Sequence, residues 1–218
     1  MNRPGLFIAF EGIDYSGKTT QATNLRTWLG KELGSRRVRL MAEPIELAID
    51  QKIRKILCGA EEAPPSFFEF QRLFVLDRAY DVHWFIRPGL EKGYVEIRDR
   101  YALSTIAYGM LSGTDEEYFR LHYDVVGPGM CWPNITFLID IPVEVAFGRM
   151  DLMGVSPEFF EKKENLQRVR ENYLILANQH QYGTIRVIDG TRHQSEIFEE
   201  IKSELGIYLK TYRRKESL

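Results

Sequence analysis

The pattern with the clearest chemistry is a phosphate-binding loop at residues 12–19, which matches GxxxxGK[ST] at every fixed position. Glycines let such a loop curl until successive backbone N–H groups point at phosphate oxygens. In this motif the lysine, here Lys18, reaches the β- and γ-phosphates, and the hydroxyl of Thr19 ligates Mg²⁺. We therefore expect ATP as donor and Mg²⁺ as cofactor. The predicted ATP-binding residues are Gly12, Tyr15, Ser16, Gly17, Lys18, Thr19 and Thr20.

A second polar group, Asp99-Arg100-Tyr101, follows a strand-like run and suits an anionic acceptor. Asp99 can hold the Mg²⁺ shell together with Thr19, and Arg100 can clamp a phosphate with its planar guanidinium. A monophosphate acceptor is already anionic and needs such positive charge, whereas a hydroxyl acceptor needs a general base. The alternative interpretation is a structural ion pair at the end of a strand.

A helical stripe could bind a flat ligand. Phe67, Phe70, Phe74 and Arg78 are spaced by 3, 4 and 4 residues, so they share one helix face. An aromatic stripe usually belongs to the core, and that alternative stays open. Arg78 favours a ligand, because an arginine on an apolar face needs a partner, and the carbonyl of a base stacked on Phe74 would supply one.

Strands that alternate with helices must position these groups. The unbroken apolar run at 6–10 predicts a strand covered on both faces, shorter runs predict further strands, and the longer stretches between them predict helices. The predicted strands are 6–10, 38–42, 94–97, 135–139 and 185–188, and the predicted helices are 18–33, 66–90, 157–181 and 194–208. This alternation predicts a doubly wound α/β fold with a five-stranded parallel sheet flanked by helices, and a site at the carboxyl ends of its strands. Three strands lead into Glu11, Asp99 and Asp140.

Composition narrows the class of protein. The 218 residues suit one domain, 1–218, and the net charge of −2 gives no field that would attract nucleic acid or a membrane. Cys58 and Cys131 fit no zinc spacing and suit reduced thiols in a cytoplasmic protein. We expect neither a signal peptide nor a spanning segment. The sequence lacks the guanine-reading Asn-Lys-x-Asp and is short for a mechanical ATPase, which favours a small-molecule kinase.

The sequence resembles the thymidylate kinase family, collinearly and over nearly the whole chain. The matching segments are Phe10-Glu11-Gly12-Ile13-Asp14, Glu43-Pro44, Leu73-Phe74-Val75-Leu76-Asp77-Arg78-Ala79, Asp99-Arg100-Tyr101 with Ser104 and Ala107-Tyr108, Pro133-Asn134-Ile135-Thr136-Phe137-Leu138-Ile139-Asp140, Phe160-Glu161, and Val169-Arg170 with Tyr173. The specific part is the Phe74 to Arg78 helix followed by Asp99-Arg100-Tyr101, since many unrelated enzymes share the phosphate loop.

The resemblance implies transfer of the ATP γ-phosphoryl group to dTMP, in a homodimer. It implies that Phe74 stacks on thymine, Arg78 bonds the base O4, and Arg100 holds the acceptor phosphate. Tyr108 would crowd the 2′ position of the sugar. The dTMP-binding residues implied are Asp14, Glu43, Arg54, Phe74, Arg78, Arg100, Ser104, Thr105 and Tyr108, and the catalytic residues are Lys18, Asp14, Arg100 and Arg149.

The sequence departs from the family at the arginines that meet the transferring phosphate. Tyr15 occupies the loop position where relatives often have an arginine, and the lid predicted at about 149–162 contains Arg149 as its one arginine. We therefore predict that Arg149 contacts the donor phosphates or adenine, assisted by Lys162 or Lys163. The alternative is a surface arginine paired with Asp151 or Glu144.

Two other functions remain open at this point. One is a deoxynucleoside kinase of the same fold, with Glu43 as the general base for a hydroxyl acceptor. The other is a nucleotide-binding regulatory protein that has lost catalysis, which the arginine-poor lid would explain.

Overall fold

A parallel sheet carries the site. The computed structural model describes residues 5–45, 48–155 and 162–215. Within them, five parallel strands are hydrogen-bonded in the order β2-β3-β1-β4-β5. The strands are β1 Leu6–Glu11, β2 Val38–Ala42, β3 Val95–Asp99, β4 Ile135–Asp140 and β5 Ile185–Asp189. The predicted doubly wound α/β fold is therefore confirmed.

Helices cover both faces of the sheet. They are α1 Lys18–Leu33, α2 Ala48–Leu57, α3 Phe67–Asp81, α4 Arg87–Glu91, α5 Ala102–Gly109, α6 Asp115–Val126, α7 Val143–Leu152, α8 Lys163–Ala177 and α9 Gln194–Lys215. One large cluster of buried side chains packs α5, α6 and α8 on one face of the sheet, and another packs α1 and α9 on the other. No helix in the described ranges is both long and apolar enough to cross a membrane.

The predicted strands and helices lie at the right positions in the sequence, but some predicted helix ends differ from the observed ones. The helix predicted at 66–90 is interrupted by a π-helical turn, Val82–Ile86, between α3 and α4. The helix predicted at 157–181 extends too far at its C-terminal end, since α8 ends at Ala177. Its predicted start, Pro157, lies outside the described residues. The predicted lid begins inside α7, and its residues 156–161 also lie outside them.

The register of the central strands aligns the two polar strand ends. Phe10 in β1 is paired with Asp99 in β3, and the N–H of Arg100 donates to the Phe10 carbonyl at 2.9 Å. Glu11 is paired with Leu138 of β4 on the other side. The phosphate loop and the Asp99-Arg100-Tyr101 segment thus leave the sheet side by side.

Candidate active site

A cleft of about 920 Å³ opens at the carboxyl ends of the strands. Every residue predicted to bind ATP, dTMP or the metal or to act in catalysis lines it, except Gly12 and the assisting lysines Lys162 and Lys163. Gly12 lies under the loop instead. A Cβ there would lie 2.4 Å from the Ile139 carbonyl oxygen, and the φ of 139° suits glycine alone.

The phosphate loop curls at the start of α1, and within it the Ser16 N–H donates to the Ile13 carbonyl at 3.3 Å. Gly17 precedes α1 in a left-handed conformation, and no side chain caps the first turn of that helix. Tyr15 also has a positive φ, 61°, which is uncommon for a residue with a side chain and costs free energy. The uncapped turn and the curled backbone together form an anion-binding concavity.

Lys18 is held beneath this loop. Its Nζ donates to the Ile13 carbonyl at 2.8 Å, and the residue is only 5% exposed. Burial, helped by the positive charge of Arg100, lowers the pKa of Lys18 to about 8, although Asp14 and Asp99 oppose the shift. An anionic phosphate at this position would stabilise the charged amine.

Thr19 and Asp99 meet as a magnesium site requires. The Thr19 hydroxyl donates to Asp99 Oδ2, while the buried Asp99 Oδ1 has no hydrogen-bond partner among the described residues. Those residues contain no group of three or more histidine, cysteine or acidic side chains that could hold a metal. Mg²⁺ commonly binds through one or two carboxylates plus substrate phosphates, so this sparse set of oxygens fits it.

Arg100 joins the phosphate loop to the opposite wall. Its Nη2 donates to Asp14 Oδ1 at 2.5 Å, and its Nη1 donates to the Gly12 carbonyl at 3.2 Å. Its φ of 69° is a strained value at a functional position. Burial tends to raise the pKa of Asp14, but Arg100 and Lys18 outweigh it and hold the pKa at about 2. Tyr108 donates to the other Asp14 oxygen at 3.1 Å.

Glu11 holds the start of α5, which the sequence reasoning recognised only as a strand end. Its buried carboxylate accepts from the backbone N–H of Tyr101 at 2.9 Å, the Ser104 hydroxyl at 2.6 Å and the Tyr173 hydroxyl at 3.1 Å. Burial raises the pKa of Glu11, and the hydrogen bonds from Ser104 and the charge of Arg100 partly offset the rise. Helix α5 presents Ser104, Thr105 and Tyr108 to the cleft.

The aromatic stripe divides between core and cleft. Phe70 is buried with Ile53 and Ile56 of α2. Phe74 is half-buried on the cleft wall, with its ring in edge contact with Phe70 at 5.3 Å. Phe70 also lines the cleft, so the core interpretation holds for it only in part, and Phe74 is the more exposed ring for stacking on a ligand.

The expected partner of Arg78 requires a correction. Arg78 is 1% exposed, and the carboxylate of Glu43 accepts from its Nε at 3.0 Å and from its Nη2 at 2.5 Å. The protein therefore already supplies a partner that we had assigned to a ligand carbonyl. Glu43 is itself buried, and burial raises its pKa while Arg78 opposes the rise. Its carboxylate is directed at Arg78 rather than left free as a general base.

Arg149 does not make the surface ion pair considered as its alternative. Its Nη1 donates to the carbonyls of Tyr15 at 2.9 Å and Ser16 at 3.1 Å, and its Nη2 donates to the Gly190 carbonyl at 2.7 Å. Lys163 pairs with Glu144 instead and, like Lys162, does not line the cleft. Arg54 lines the cleft and pairs with Asp50, with its side chain 62% exposed.

Sequence reasoning missed the part of the cleft that follows β5. Gly190, Arg192 and Gln194 line it beside Arg149. A Cβ on Gly190 would lie 2.7 Å from Ile139 Cγ2, which explains a glycine there. The signal was available, because Asp189-Gly190 ends a strand at the edge where a doubly wound sheet binds ligands.

Known proteins resemble this chain in sequence and fold. The sequence model of a family described as "Thymidylate kinase" matches residues 10–201. A probable thymidylate kinase of Thermococcus gammatolerans is 36% identical, over 90% of this chain and 94% of its own. The thymidylate kinase of Sulfurihydrogenibium is 36% identical, over 92% and 97%. A crystal structure of the Ehrlichia chaffeensis thymidylate kinase superposes with a TM-score of 0.72 and 26% identity, covering 93% of this chain and all of that one.

Proposed function

Since this chain belongs to the thymidylate kinase family, we propose that it transfers the γ-phosphoryl group of ATP to dTMP, giving ADP and dTDP. The observation that carries this function is the anchoring of Arg100 on the phosphate loop through the Gly12 carbonyl. A cation placed there lies between a donor phosphate in the loop and an acceptor phosphate opposite it. An anionic acceptor needs that charge, and a hydroxyl acceptor does not.

The donor half holds ATP in line for transfer. The backbone N–H groups of the loop bind the phosphate oxygens, and Lys18 neutralises charge at the γ-phosphate. Thr19 and Asp99 would hold Mg²⁺, which supplies charge stabilisation on the phosphate oxygens. Arg149 holds the loop in place by donating hydrogen bonds to two of its carbonyls. No proton has to leave a monophosphate acceptor, so positioning and electrostatics carry the catalysis.

The acceptor half orients a deoxynucleotide. Phe74 stacks on the base, and Arg78 donates to its carbonyl from the back of the cleft. Arg54 and Arg100 hold the 5′-phosphate. Tyr108, held by its hydrogen bond to Asp14, would crowd the 2′ position of the sugar and so favour deoxyribose over ribose.

A hydroxyl acceptor is the weaker alternative. It would require Glu43 to take a proton from the 5′-hydroxyl of a nucleoside, yet that carboxylate binds Arg78 through two of its nitrogens. Releasing it would leave a buried charge unpaired, which costs several kcal/mol, about 3–5.

The decisive experiment measures ADP release with ATP and Mg²⁺ on a panel of acceptors. We expect turnover with dTMP and little with thymidine, and lower efficiency with TMP that carries a ribose than with dTMP. Turnover of thymidine but not dTMP would replace the proposal with a deoxynucleoside kinase. Tight ATP binding with no turnover on any acceptor would support a regulatory protein.

We further propose a cytoplasmic homodimer that binds small nucleotides and neither nucleic acid nor membranes. The free thiols Cys58 and Cys131 support a reducing compartment. The aromatic side chains of Tyr80 and Trp84, which are 40% and 58% exposed, support a protein contact on this part of the surface. Light scattering of the protein and of Trp84→Lys tests the dimer, since a monomeric parent would refute it.

A further inference from the structure

The guanidinium of Arg78 is enclosed on three sides. One edge, Nε and Nη2, faces the carboxylate of Glu43. Its Nη1 lies 3.0 Å from the Thr105 hydroxyl and 2.7 Å from Nε2 of His122. The ring of Tyr101 lies under its Cζ, 4.9 Å from the centroid.

His122, on α6, can hold only one protonation state in this environment. It is fully buried, and its Nδ1 lies 2.7 Å from the Tyr118 carbonyl, which can only accept, so Nδ1 carries the proton. Arg78 can only donate, so Nε2 must offer a lone pair. Burial, together with the charge of Arg78, holds the pKa of His122 well below its ordinary value. The imidazole is therefore a neutral acceptor with a fixed orientation.

The donors of Arg78 can now be counted. A guanidinium carries five N–H groups. Glu43 accepts one from Nε and one from Nη2, and the two on Nη1 go to Thr105 and His122. One N–H on Nη2 has no partner among the residues that the structure describes. Because Arg78 lines the cleft, this donor is the one available to a ligand carbonyl.

We propose that His122 is a positioning residue for base recognition: by accepting from Nη1 it holds the guanidinium plane so that the remaining Nη2 N–H meets the carbonyl of a pyrimidine. The proposal rests on the proposed function, in which Arg78 reads thymine. His122 lines no part of the cleft and acts only through Arg78.

This arrangement has a consequence for base selection. A rigid guanidinium offers donors only, so it can donate to the carbonyl at position 4 of thymine or uracil but cannot pair with the amino group of cytosine. Without the His122 acceptor, one buried Nη1 donor loses its partner, and the group can turn toward a new one. Discrimination between dTMP and dCMP should then decrease together with dTMP affinity.

The test compares three substitutions of His122 in the full chain. His122→Leu removes the acceptor, and His122→Asn leaves a donor for the Tyr118 carbonyl but is too short to reach Arg78. We expect both to raise the dTMP KM by about 10-fold or more, the scale of a hydrogen bond to a charged group. The KM for ATP and the kcat at saturating dTMP should change less than about 2-fold. The dTMP-to-dCMP ratio of kcat/KM should fall.

His122→Gln supplies the rescue, because its amide oxygen reaches the position of Nε2 and can accept from Arg78. We expect its dTMP KM within about 3-fold of the parent, far from the Asn value, even if both lose similar thermal stability. Asp124→Asn, an exposed change two residues along α6, is the matched control.

The outcomes distinguish a failure of the proposed role of His122 from a failure of the proposed dTMP kinase function. An unchanged dTMP KM in His122→Asn, or equal rises in the KM for dTMP and ATP, overturns the role of His122. Arg78→Leu serves as the reference. If it leaves the dTMP KM unchanged, or the parent does not phosphorylate dTMP, the proposed base site is wrong. If Arg78→Leu raises the KM and His122→Asn does not, only the inference about His122 is wrong.

Discussion

Replacing Arg149 by alanine tests how the phosphate loop keeps its shape. The side chain donates to the carbonyls of Tyr15, Ser16 and Gly190, and so ties the loop to the segment after β5. Tyr15 has a strained positive φ at this point. Arg149→Ala removes the donors that hold this backbone, and the loop N–H groups should no longer be preset for the transferring phosphate.

The expected magnitude follows from the bonds lost. A hydrogen bond to a charged group contributes about 1.5–3 kcal/mol, and the three bonds of one guanidinium are not additive. Arg149 is half-buried, so we take the value of a single bond for the whole group. At about 1.4 kcal/mol per factor of ten, kcat should fall between about 10-fold and 150-fold.

The assay is steady-state ADP release at saturating ATP and dTMP, with melting temperature measured beside it. Arg149→Lys keeps the charge but lacks the planar guanidinium that donates to both the phosphate loop and Gly190, so it should recover only part of the rate. Arg120→Ala, an exposed arginine on α6, is the matched control. A kcat for Arg149→Ala within 2-fold of the parent would refute this reasoning, and so would full recovery by lysine.

Three further changes probe the cleft. Lys18→Ala should abolish transfer with the fold intact by circular dichroism, because the loop loses its γ-phosphate cation, and activity within a few-fold of the parent would contradict the loop assignment. Phe74→Ala should raise the dTMP KM by about 5- to 150-fold, since stacking on a base contributes about 1–3 kcal/mol; a loss of melting temperature with an unchanged KM would instead assign Phe74 to the core. Asp14 stabilises the fold in its ionised form, fully above its ordinary pKa of 3.8, and this contribution is lost as the pH falls through about 2. The stability advantage of the parent over Asp14→Asn should therefore narrow between about pH 4 and pH 2 in chemical denaturation, and a constant difference would contradict the Arg100 pairing.

Local patterns made the phosphate loop and the sheet predictable. The loop is one continuous segment, and the backbone turn that requires its glycines involves only neighbouring residues. Strands β1 and β4 are largely apolar because they are covered on both faces, and that property is visible in consecutive residues. Strands β2, β3 and β5 contain charged residues, so they were predicted from their alternation with helices. The site residues at strand ends followed from this placement alone.

Pairings across the chain could not be predicted in the same way. The partner of Arg78 is Glu43, 35 residues away, and its second acceptor is His122, 44 residues away. Nothing in the spacing links these segments until α3, α5 and α6 pack together. The contacts of Arg149 with Tyr15 and Gly190 are long-range for the same reason.

Some helices were missed for reasons visible in their sequences. Helix α5 spans 8 residues, which is shorter than the stretch over which a helical period can be read. Helix α6 carries a readable signal, because the Thr114 and Glu117 side chains form a capping box at its start. That pattern could have placed α6, and with it His122.

The pairing of Phe10 with Asp99 places the ends of β1 and β3 side by side. In the proposed function the donor and acceptor sites begin at these two strand ends, so the gap between the two phosphates would be set by sheet register. One residue inserted into β3 before Asp99 would turn each following side chain to the other face of the sheet, so Asp99 and Arg100 would both point away from their present partners. Loop lengths around this cleft can therefore vary among functional descendants of this chain, while the lengths of β1 and β3 cannot.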